Sequence, residues 1–340
     1  MFFSIFLAMA LGTCYIFNEQ YSVETASDGN AHRLEGRCVC EMKIGIIGAG
    51  RVGCSIGKYL TEQGKTVIGY YSQTYENAAQ AAEFTSTDCF RSMEELVALS
   101  DTLFIATPDG QVGAVWDCMK AMSMDGRIVC HFSGSLSSDV FTGVDEKKAY
   151  GASLHPMLAF RNKFSSYKQL KECFFTLEGH PFAVRQLEKL LEETGNPYCR
   201  IWAEDKAKYH CAASVLSNDV LALLDMGFAL LGRCGFTQEE AVQAASALVR
   251  GNVENVLEHG TLSSMTGPVL RGDVSTVEKH LKALDGEERE IYRLLGKRLL
   301  RMAQSRQEGD GPPRLKRGYA QIGRLLEKET EGDCQGELPC

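Results

Sequence analysis

The chain has 340 residues, of which 44% are hydrophobic and 24% are charged, and its formal net charge at pH 7 is −8. These values are typical of a globular protein of one or two domains, and they exclude a mostly disordered chain, a collagen and a multi-span membrane protein. The acidic balance argues against a dedicated nucleic-acid binder, which needs a surplus of Lys and Arg to neutralise phosphates. It still permits a small anionic ligand, because such a ligand needs only a local positive patch.

The 13 cysteines are many for this length, but their pattern indicates neither a disulfide framework nor a metal site. Their number is odd, they are spread over the whole chain, and Cys130 and Cys211 lie within apolar runs. The sequence has no C-x-x-C pair, which is the usual element of a structural zinc site. We therefore expect free thiols, no metal, and a reducing compartment such as the cytoplasm.

The two ends differ in character from the middle of the chain. Residues 1–17 are largely apolar, but they are few for a membrane span of about 20 residues and lack the Lys or Arg of a signal peptide. A clear strand pattern begins at Met42. We expect the functional domain to begin there, and residues 1–41 to be a disordered leader, an alternative start or an extension, with a signal or anchor as the other possibility. Residues 304–340 are rich in Gly, Glu, Lys and Arg, which predicts a mobile charged tail.

The first half of the remaining chain alternates between strand and helix patterns. Short apolar runs bounded by turn residues are typical of buried parallel strands, and amphipathic stretches separate them. This alternation predicts a doubly wound α/β sheet. The predicted strands are 44–47, 66–71, 102–107, 127–132, 150–154, 173–177 and 198–202, and the predicted helices are 52–63, 75–83, 92–99, 111–122 and 181–194.

From residue 203 onward the pattern becomes almost entirely helical. Helices are predicted over 204–231, 237–257, 274–283 and 286–303, with one short helix over 315–328. The expected fold class is therefore α/β, with a doubly wound Rossmann domain over residues 42–202 followed by an all-helical C-terminal domain over residues 203–303.

The segment Gly48-Ala49-Gly50-Arg51-Val52-Gly53 is a G-x-G-x-x-G motif that follows a predicted strand and opens a predicted helix. In this context the first glycine allows a tight turn, the second lets the backbone approach a pyrophosphate, and the third lets the helix pack closely on the strand. The N-terminus of the helix then directs its partial positive charge at the phosphates. The motif predicts a bound dinucleotide, and the alternative is a glycine-rich turn without a ligand.

The end of the second predicted strand bears on the choice between NAD and NADP. An NAD site places Asp or Glu there to bind the ribose 2′-hydroxyl, whereas this chain has no acid until Glu76. Ser72 and Gln73 can donate hydrogen bonds to a 2′-phosphate, and Arg51 beside the glycine loop adds positive charge. We therefore expect NADP, although no arginine closely follows Ser72, and FAD is a weaker alternative.

Three residues follow the next strands at the edge where such sheets bind ligands. Thr107 and Pro108 stand at the end of the predicted strand 102–107, and Ser133 follows the predicted strand 127–132, so we expect all three to contact the cofactor. His155 follows the strand after that, and there it can hold an anionic substrate group or carry a proton. Ordinary turns and a packing histidine are the alternatives.

The first long helix of the C-terminal domain carries the candidate catalytic residues. Lys206 and His210 are four residues apart and so share one helix face, and Ser217 and Asn218 continue a broader polar arc. Reduction of a carbonyl or an imine needs a proton donor beside the hydride acceptor, which Lys206 or His210 can supply. Ser217 and Asn218 can orient the substrate, and Arg271 in a later turn can pair with its carboxylate. A solvated polar face is the alternative explanation.

Five segments together carry a family resemblance, which covers roughly residues 42–300. They resemble a poorly characterised group of Rossmann-like proteins within the 6-phosphogluconate-dehydrogenase-like superfamily. The superfamily includes ketopantoate reductase, pyrroline-5-carboxylate reductase, prephenate dehydrogenase and F420-dependent NADP oxidoreductases, and some bacterial members of the group act as an alternative ketopantoate reductase. The segments are 42–48, Ser133-Gly134, His155-Pro156-Met157, Tyr209-His210 and Thr266-Gly267-Pro268-x-x-Arg271-Gly272-Asp273.

The resemblance implies NADP bound across the strand ends, a small carboxylate-bearing substrate, no membrane association and a homodimer formed through the helical domain. Ketopantoate reductases place an Asn four residues after their helix Lys, and His210 stands at that spacing from Lys206 here. The implied reaction is hydride transfer to a 2-oxo acid. In it Lys206 polarises the carbonyl or gives the proton, with help from His210, while Asn218 orients the substrate and His155 or Arg271 holds its carboxylate. The alternatives are an imine reductase of the pyrroline-5-carboxylate type and a non-catalytic NADP-binding sensor or scaffold.

Overall fold

The structure is a computed structural model that describes residues 42–306 and 312–327. The predictions for residues 1–41, and those for the end of the chain after residue 327, lie outside the described residues. The chain divides into two compact units, of which the first ends at His210 and the second begins at Cys211. The division falls later than the predicted boundary after residue 202, because the first turns of the next helix pack within the first unit.

Eight strands of the first unit form one sheet in the order β3-β2-β1-β4-β5-β6-β7-β8. The first six strands in this order are parallel neighbours with the strand order of a dinucleotide-binding Rossmann sheet, and the order reverses between β1 and β4. β7 runs antiparallel to β6, and β8 runs parallel to β7. The strands are β1 Ile44–Ile47, β2 Val67–Tyr71, β3 Asp88–Cys89, β4 Thr102–Ile105, β5 Ile128–His131, β6 Tyr150–Pro156, β7 Phe175–Gly179 and β8 Tyr198–Arg200.

Helices cover both faces of this sheet, as a doubly wound fold requires. Successive residues of a strand point to opposite faces, so Phe104 of β4 joins one buried apolar cluster while Leu103 and Ile105 join the other. Both clusters include side chains from the flanking helices. The predicted doubly wound α/β domain is therefore confirmed. Its helices are α1 Arg51–Glu62, α2 Tyr75–Thr85, α3 Met93–Leu99, α4 Asp109–Met119, α5 Pro181–Thr194 and α6 Lys206–Ser214.

The second unit is helical throughout its described residues, as predicted. The predicted helix over 204–231 is divided, because a π-helical turn, Val215–Asp219, separates α6 from the next helix. The long helix that follows has a break at Gly260, whose φ of +76° is not helical. The helices are α7 Val220–Arg233, α8 Gln238–Ser264, α9 Val274–Ala283, α10 Gly286–Ser305 and α11 Pro313–Glu327.

The core of the second unit lies between α9, α10 and α11. Val277 of α9 and Ile322 and Leu326 of α11 are fully buried, and Leu300 of α10 packs with them. The short helix predicted over 315–328 is observed as α11, so the mobile tail predicted from residue 304 is wrong for the residues of this helix. Its apolar residues recur at helical spacing and complete this core, which outweighs the charged residues between them.

The apolar surfaces of α7 and α8 remain largely exposed in the single chain. None of the residues of α7 is buried, and Ala241 is the one buried residue of α8. Leu216 in the π-helical turn is 73% exposed, and Leu257 of α8 is 80% exposed. The helical stretch Ala203–Arg233 is also the one described segment that is long and apolar enough, at a mean hydropathy of 1.5, to cross a membrane by length and composition.

Candidate nucleotide and substrate site

The glycine loop after β1 has the geometry that a dinucleotide site needs. Gly48 has a φ of +104°, and a Cβ there would lie 2.8 Å from the carbonyl carbon and oxygen of Ala106. A Cβ at Gly53 would overlap the carbonyl oxygen of Gly48, so this glycine allows α1 to pack on β1. A Cβ at Gly50 would meet only open space, which leaves the backbone of the loop accessible to a ligand. The three glycines therefore have the geometry expected for their three predicted roles.

The N-terminus of α1 is prepared for an anion. The N-cap residue is Gly50, so no side chain occupies the free N–H groups of the first turn, and that turn carries no acidic residue. Arg51 begins the helix and is exposed, while Ala49 is buried and Val52 is half-buried beneath the loop. Backbone N–H groups and the helix dipole at this end favour a phosphate. The residues present thus fit the pyrophosphate of a dinucleotide.

The carboxyl end of β4 offers a second polar contact. The Oγ1 atom of Thr107 is buried and has no hydrogen-bond partner within the described part of the chain. Pro108 follows it, exposed, at the N-cap position of α4. A buried hydroxyl without a partner is costly, so a ligand group at this edge would satisfy it. Thr107 stays a predicted cofactor contact, with an unpartnered hydroxyl at this edge.

Ser133, the predicted contact at the end of β5, is held in a network of its own. Its Oγ atom donates to the Asp109 carboxylate at 2.6 Å, and Ser135 donates to the same carboxylate oxygen at 2.9 Å. The backbone N–H groups of Ser135 and Leu136 donate in turn to the Ser133 hydroxyl at 3.1 and 3.0 Å. The network ties the loop after β5 to the first turn of α4, and Asp109 was not a predicted site residue.

His131 holds the same loop through both nitrogens of its ring. Its Nδ1 accepts a hydrogen bond from the Ser133 backbone N–H at 3.1 Å, so the proton sits on Nε2, 3.2 Å from the Ser137 carbonyl oxygen. The side chain is fully buried, and burial lowers its pKa to about 4. His131 is therefore an uncharged structural residue at neutral pH.

Lys206 lies under the loop. Its side chain is 2% exposed, and its Nζ donates to the Ser133 carbonyl oxygen and to the Ser153 hydroxyl, each at 2.7 Å. Burial lowers the pKa of the ammonium to about 8, while the nearby carboxylate of Glu178 acts in the opposite direction. Two of the three ammonium donors thus hold the loop after β5 against the middle of β6.

His155 and His210 approach Gly134 at this edge, and Tyr209 contacts His155. The Nδ1 atom of His155 lies 2.7 Å from the Tyr209 hydroxyl, and the rings of His155 and His210 are perpendicular with centres 6.3 Å apart. A Cβ on Gly134 would lie 2.5 Å from His210 Nδ1 and 2.8 Å from His155 Nε2, so only glycine permits this approach. His155 and Tyr209 are half-buried and His210 is exposed.

The electrostatics of this cluster differ between its members. Burial, with the positive charge of Lys206 and then His210, lowers the pKa of His155 to about 4. Burial also raises the pKa of Tyr209, so its hydroxyl keeps its proton at neutral pH. The structure brings the predicted residues His155 and His210 together with Tyr209. The sequence marks Tyr209 as part of the Tyr209-His210 motif but assigns no role to its hydroxyl.

The other predicted substrate residues belong to the second unit. Ser217 and Asn218 are exposed in the π-helical turn, where the Ser217 hydroxyl donates to the Ala213 carbonyl oxygen at 2.7 Å. Arg271 is exposed in the turn before α9. Asp273 caps α9 by accepting from the Thr276 N–H at 3.1 Å, as its position after a turn predicts.

Comparison with known proteins supports this description of the chain. Residues 29–156 match the family model of a Rossmann-like domain, and residues 173–299 match a domain of unknown function, DUF2520. No curated protein sequence matches the chain. Among the solved structures, protein TM1727 from Thermotoga maritima is 26% identical, with a TM-score of 0.63 over 78% of this chain and 100% of its own.

Two further solved structures show how widely this fold is shared. A proposed NADP oxidoreductase from Bacteroides fragilis is 20% identical, with a TM-score of 0.58 over 76% of this chain and 98% of its own. A pyrroline carboxylate reductase from Plasmodium falciparum with NADP bound is 13% identical, with a TM-score of 0.51 over 83% of this chain and 98% of its own. At these identities the similarity shows the fold, and it confirms the predicted resemblance to NADP oxidoreductases at that level.

Proposed function

We propose that the protein is an NADP-dependent reductase of a small carboxylate-bearing 2-oxo acid. Its chain joins a Rossmann-like domain to a DUF2520 domain and has an NADP-oxidoreductase-like fold. The observation that carries the proposal is the close approach of His155 and His210 to Gly134, at the same sheet edge as the glycine loop, with the Tyr209 hydroxyl 2.7 Å from His155. In open α/β sheets, ligands bind outside the carboxyl ends of the strands where the strand order reverses. Here that point lies between β1 and β4.

The residues that would hold the cofactor follow from this arrangement. The loop from Gly48 to Gly53 and the N-terminus of α1 would take the pyrophosphate, and Ser72 and Gln73 at the end of β2 would face the adenosine ribose. Thr107 and the loop at Ser133 would line the nicotinamide half. When bound as NADPH, the cofactor supplies the hydride for reduction of the substrate.

The chain itself then has to supply a proton to the developing alkoxide. We assign this role to His210, because it is exposed and reaches Gly134, where a substrate would meet the loop. Uncharged His155 and the Tyr209 hydroxyl form a hydrogen-bonded pair beside it that can orient the substrate oxygen. Since His155 carries no charge at neutral pH, its contribution to a substrate carboxylate is a hydrogen bond.

Lys206 has a structural role in this proposal, whereas its spacing from His210 predicts a catalytic one. Its ammonium already donates to Ser133 and Ser153 and is almost inaccessible to solvent. We therefore assign it as a positioning residue that fixes the loop after β5. Asn218, Ser217 and Arg271 remain predictions for orienting the substrate and binding its carboxylate.

The test is a parallel fluorescence titration of the full-length protein with NADPH and NADH, followed by a panel of 2-oxo acids and cyclic imines. The proposal expects NADPH to bind at least about tenfold more tightly than NADH, a difference of about 1.4 kcal/mol. It also expects NADPH oxidation by a 2-oxo acid. Binding of neither dinucleotide would overturn the reductase proposal. Tight NADPH binding without turnover on any panel member would favour a non-catalytic sensor or scaffold.

Reduction of a C=N bond is the second candidate. Its support is that the solved structures with this fold include an imine reductase from Pseudomonas sp., 15% identical with a TM-score of 0.53 over 84% of this chain. The same proton donor would protonate an imine nitrogen, and the cofactor's hydride would then reduce the resulting iminium carbon. The substrate panel separates the two candidates, since turnover confined to cyclic imines would replace the 2-oxo acid.

We also propose that two copies of the chain form a homodimer through α7 and α8. Leu216, Leu248 and Leu257 are 73%, 67% and 80% exposed in the single chain. A large exposed apolar surface of this kind marks an interaction site. A second copy offers the same apolar surface, so a two-fold interface would cover both. The same association explains the apolar stretch Ala203–Arg233 without a membrane. Buried thiols such as Cys54 and Cys130 fit a reducing, cytoplasmic location.

A further inference from the structure

Arg91 and Tyr75 form a stacked pair at the edge of the sheet where β2 and β3 end. The guanidinium carbon of Arg91 lies 3.9 Å from the centre of the Tyr75 ring. Tyr70 of β2 stands opposite Cys89 of β3, and the Phe90 N–H donates to the Tyr70 carbonyl oxygen at 2.9 Å. Because these strands are parallel, the residue after Phe90 continues alongside the end of β2.

This edge is where a Rossmann fold meets the adenosine ribose of its cofactor. The side chain at the end of the second strand distinguishes a free 2′-hydroxyl from a 2′-phosphate, and a nearby arginine accommodates the phosphate. Ser72 and Gln73 occupy that strand end, with Ser72 half-buried and Gln73 exposed. They are neutral donors, and Arg91 brings to the same edge the positive charge that they lack.

We propose that Arg91, held over the ring of Tyr75, binds the 2′-phosphate of the dinucleotide and thereby selects NADP over NAD. The assignment rests on the proposed reductase function and names its specificity-determining residue. A guanidinium matches a phosphate with two parallel hydrogen bonds, which makes the contact stronger than that of a neutral donor. Stacking on an aromatic face leaves the N–H groups at the rim of the guanidinium free to point at a ligand.

The surroundings of Arg91 leave its charge available. Within the described residues no carboxylate forms an ion pair with Arg91, and the neighbouring Glu94 carboxylate accepts from the Ser92 hydroxyl at 2.7 Å instead. The Tyr75 ring begins α2 and is half-buried, so it gives the guanidinium a fixed support. Such preorganisation lowers the entropy that Arg91 loses when a phosphate binds.

The experiment compares four proteins by calorimetric titration with NADPH, NADH, adenosine 2′,5′-bisphosphate and adenosine 5′-monophosphate. They are the full-length wild type, Arg91→Ala, Arg91→Lys and the control Arg185→Ala. Arg185 is an exposed arginine of α5, a helix that packs on β6 and β7 toward the opposite end of the sheet. Circular dichroism and thermal unfolding confirm that each variant is folded.

We expect Arg91→Ala to weaken binding of NADPH and of the bisphosphate by about 10- to 100-fold, the usual worth of a charge-assisted hydrogen bond. Binding of NADH and of the monophosphate should change by less than about twofold, because neither carries the 2′-phosphate. Arg91→Lys should be intermediate, since an ammonium keeps the charge without the planar fork. Arg185→Ala should match the wild type with all four ligands.

Three outcomes would overturn the assignment. Unchanged NADPH and bisphosphate binding in Arg91→Ala would make the stacked pair a surface contact without a ligand, while the reductase proposal stands. If Arg91→Ala weakened the binding of NADPH and NADH equally, Arg91 would contact the part that the two dinucleotides share and would not select between them. Failure of the wild type to bind either dinucleotide would overturn the proposed function itself, and the assignment of Arg91 with it.

Discussion

The Nδ1 atom of His155, at the end of β6, lies 2.7 Å from the hydroxyl of Tyr209 in α6. Burial keeps both groups uncharged at neutral pH, because it lowers the pKa of the imidazole to about 4 and raises that of the phenol. The pair therefore forms a neutral hydrogen bond and places no net charge beside the buried ammonium of Lys206. This arrangement suits a site in which hydride transfer creates negative charge on a substrate oxygen.

The first prediction concerns the hydroxyl of Tyr209. Tyr209→Phe removes the partner of His155 while keeping the ring, so we expect kcat to fall by about 10- to 100-fold, the worth of one such contact. NADPH affinity should stay within about twofold, because the proposed pyrophosphate and ribose contacts do not involve Tyr209. The measurement is steady-state kinetics with the best substrate of the panel, together with NADPH titration.

The matched control for that variant is Tyr198→Phe. Tyr198 also lies in the first unit, and its hydroxyl donates to the Glu192 carboxylate at 2.8 Å on the surface. Its turnover should equal that of the wild type. A Tyr209→Phe protein as active as this control would show that the hydrogen bond to His155 has no part in the reaction.

His210 is the subject of the second prediction. His210→Gln keeps a polar side chain but removes the proton donor, so we expect kcat to fall by about 100- to 10,000-fold, the usual contribution of general acid catalysis. An exposed histidine of α9, outside the proposed dimer surface, provides the control in His280→Gln. Wild-type turnover in His210→Gln would remove His210 from the mechanism.

The third prediction separates two glycines of one loop. A Cβ at Gly50 meets open space, so Gly50→Ala should fold as stably as the wild type. It should bind NADPH at least about tenfold more weakly, because the added methyl group would occupy the proposed place of the pyrophosphate. A Cβ at Gly48 meets the Ala106 backbone at a φ of +104°, so Gly48→Ala should lower the free energy of unfolding by about 1–3 kcal/mol. Thermal unfolding and NADPH titration of both variants give the comparison. Full NADPH affinity in a folded Gly50→Ala protein would contradict the assignment of this loop.

A fourth prediction follows from the buried imidazole of His131. Its pKa is about 4 in the folded protein and near 6.5 in the unfolded chain, so between these pH values the unfolded state binds the extra proton. The free energy of unfolding should therefore fall as the pH drops from 6.5 to 4, with up to about 3 kcal/mol from this residue. Urea unfolding at a series of pH values measures the slope. His131→Asn should be less stable at pH 7 but show a flatter slope, and an equal slope in both proteins would assign the acid sensitivity to other groups.

Much of the fold could be predicted from the sequence because its signals are local. The apolar runs of β1, β4 and β5 are bounded by turn residues and buried on both sides, and α5 and α9 have the bounds that their caps and periodicity predict. The strand β3 escaped prediction because it consists of Asp88 and Cys89 alone. So short a strand has no periodicity, and pairing with β2 creates it.

The candidate site was less accessible to prediction because its partners come together across the sheet. Arg91 is separated along the chain from Ser72, and only the parallel pairing of β2 and β3 places it at the same edge. The spacing of Lys206 and His210 correctly indicates one helix face, but it does not show that the Lys206 ammonium lies under a loop while His210 is exposed. Burial and partners decide the role of a lysine, and the sequence alone carries neither.

The last prediction tests the proposed homodimer through its two most exposed leucines. Leu216→Glu and Leu257→Glu place a carboxylate on surfaces that are 73% and 80% exposed in the single chain, so each variant alone should fold normally. Burying that charge in an interface is costly, so the variants should sediment as monomers at concentrations where the wild type is a dimer. Leu99→Glu, on a leucine of the first unit that is 55% exposed, is the control and should remain dimeric. A monomeric wild type, a wild type that stays in solution only with detergent, or dimers of both α7–α8 variants would each contradict a second copy as the partner of this surface.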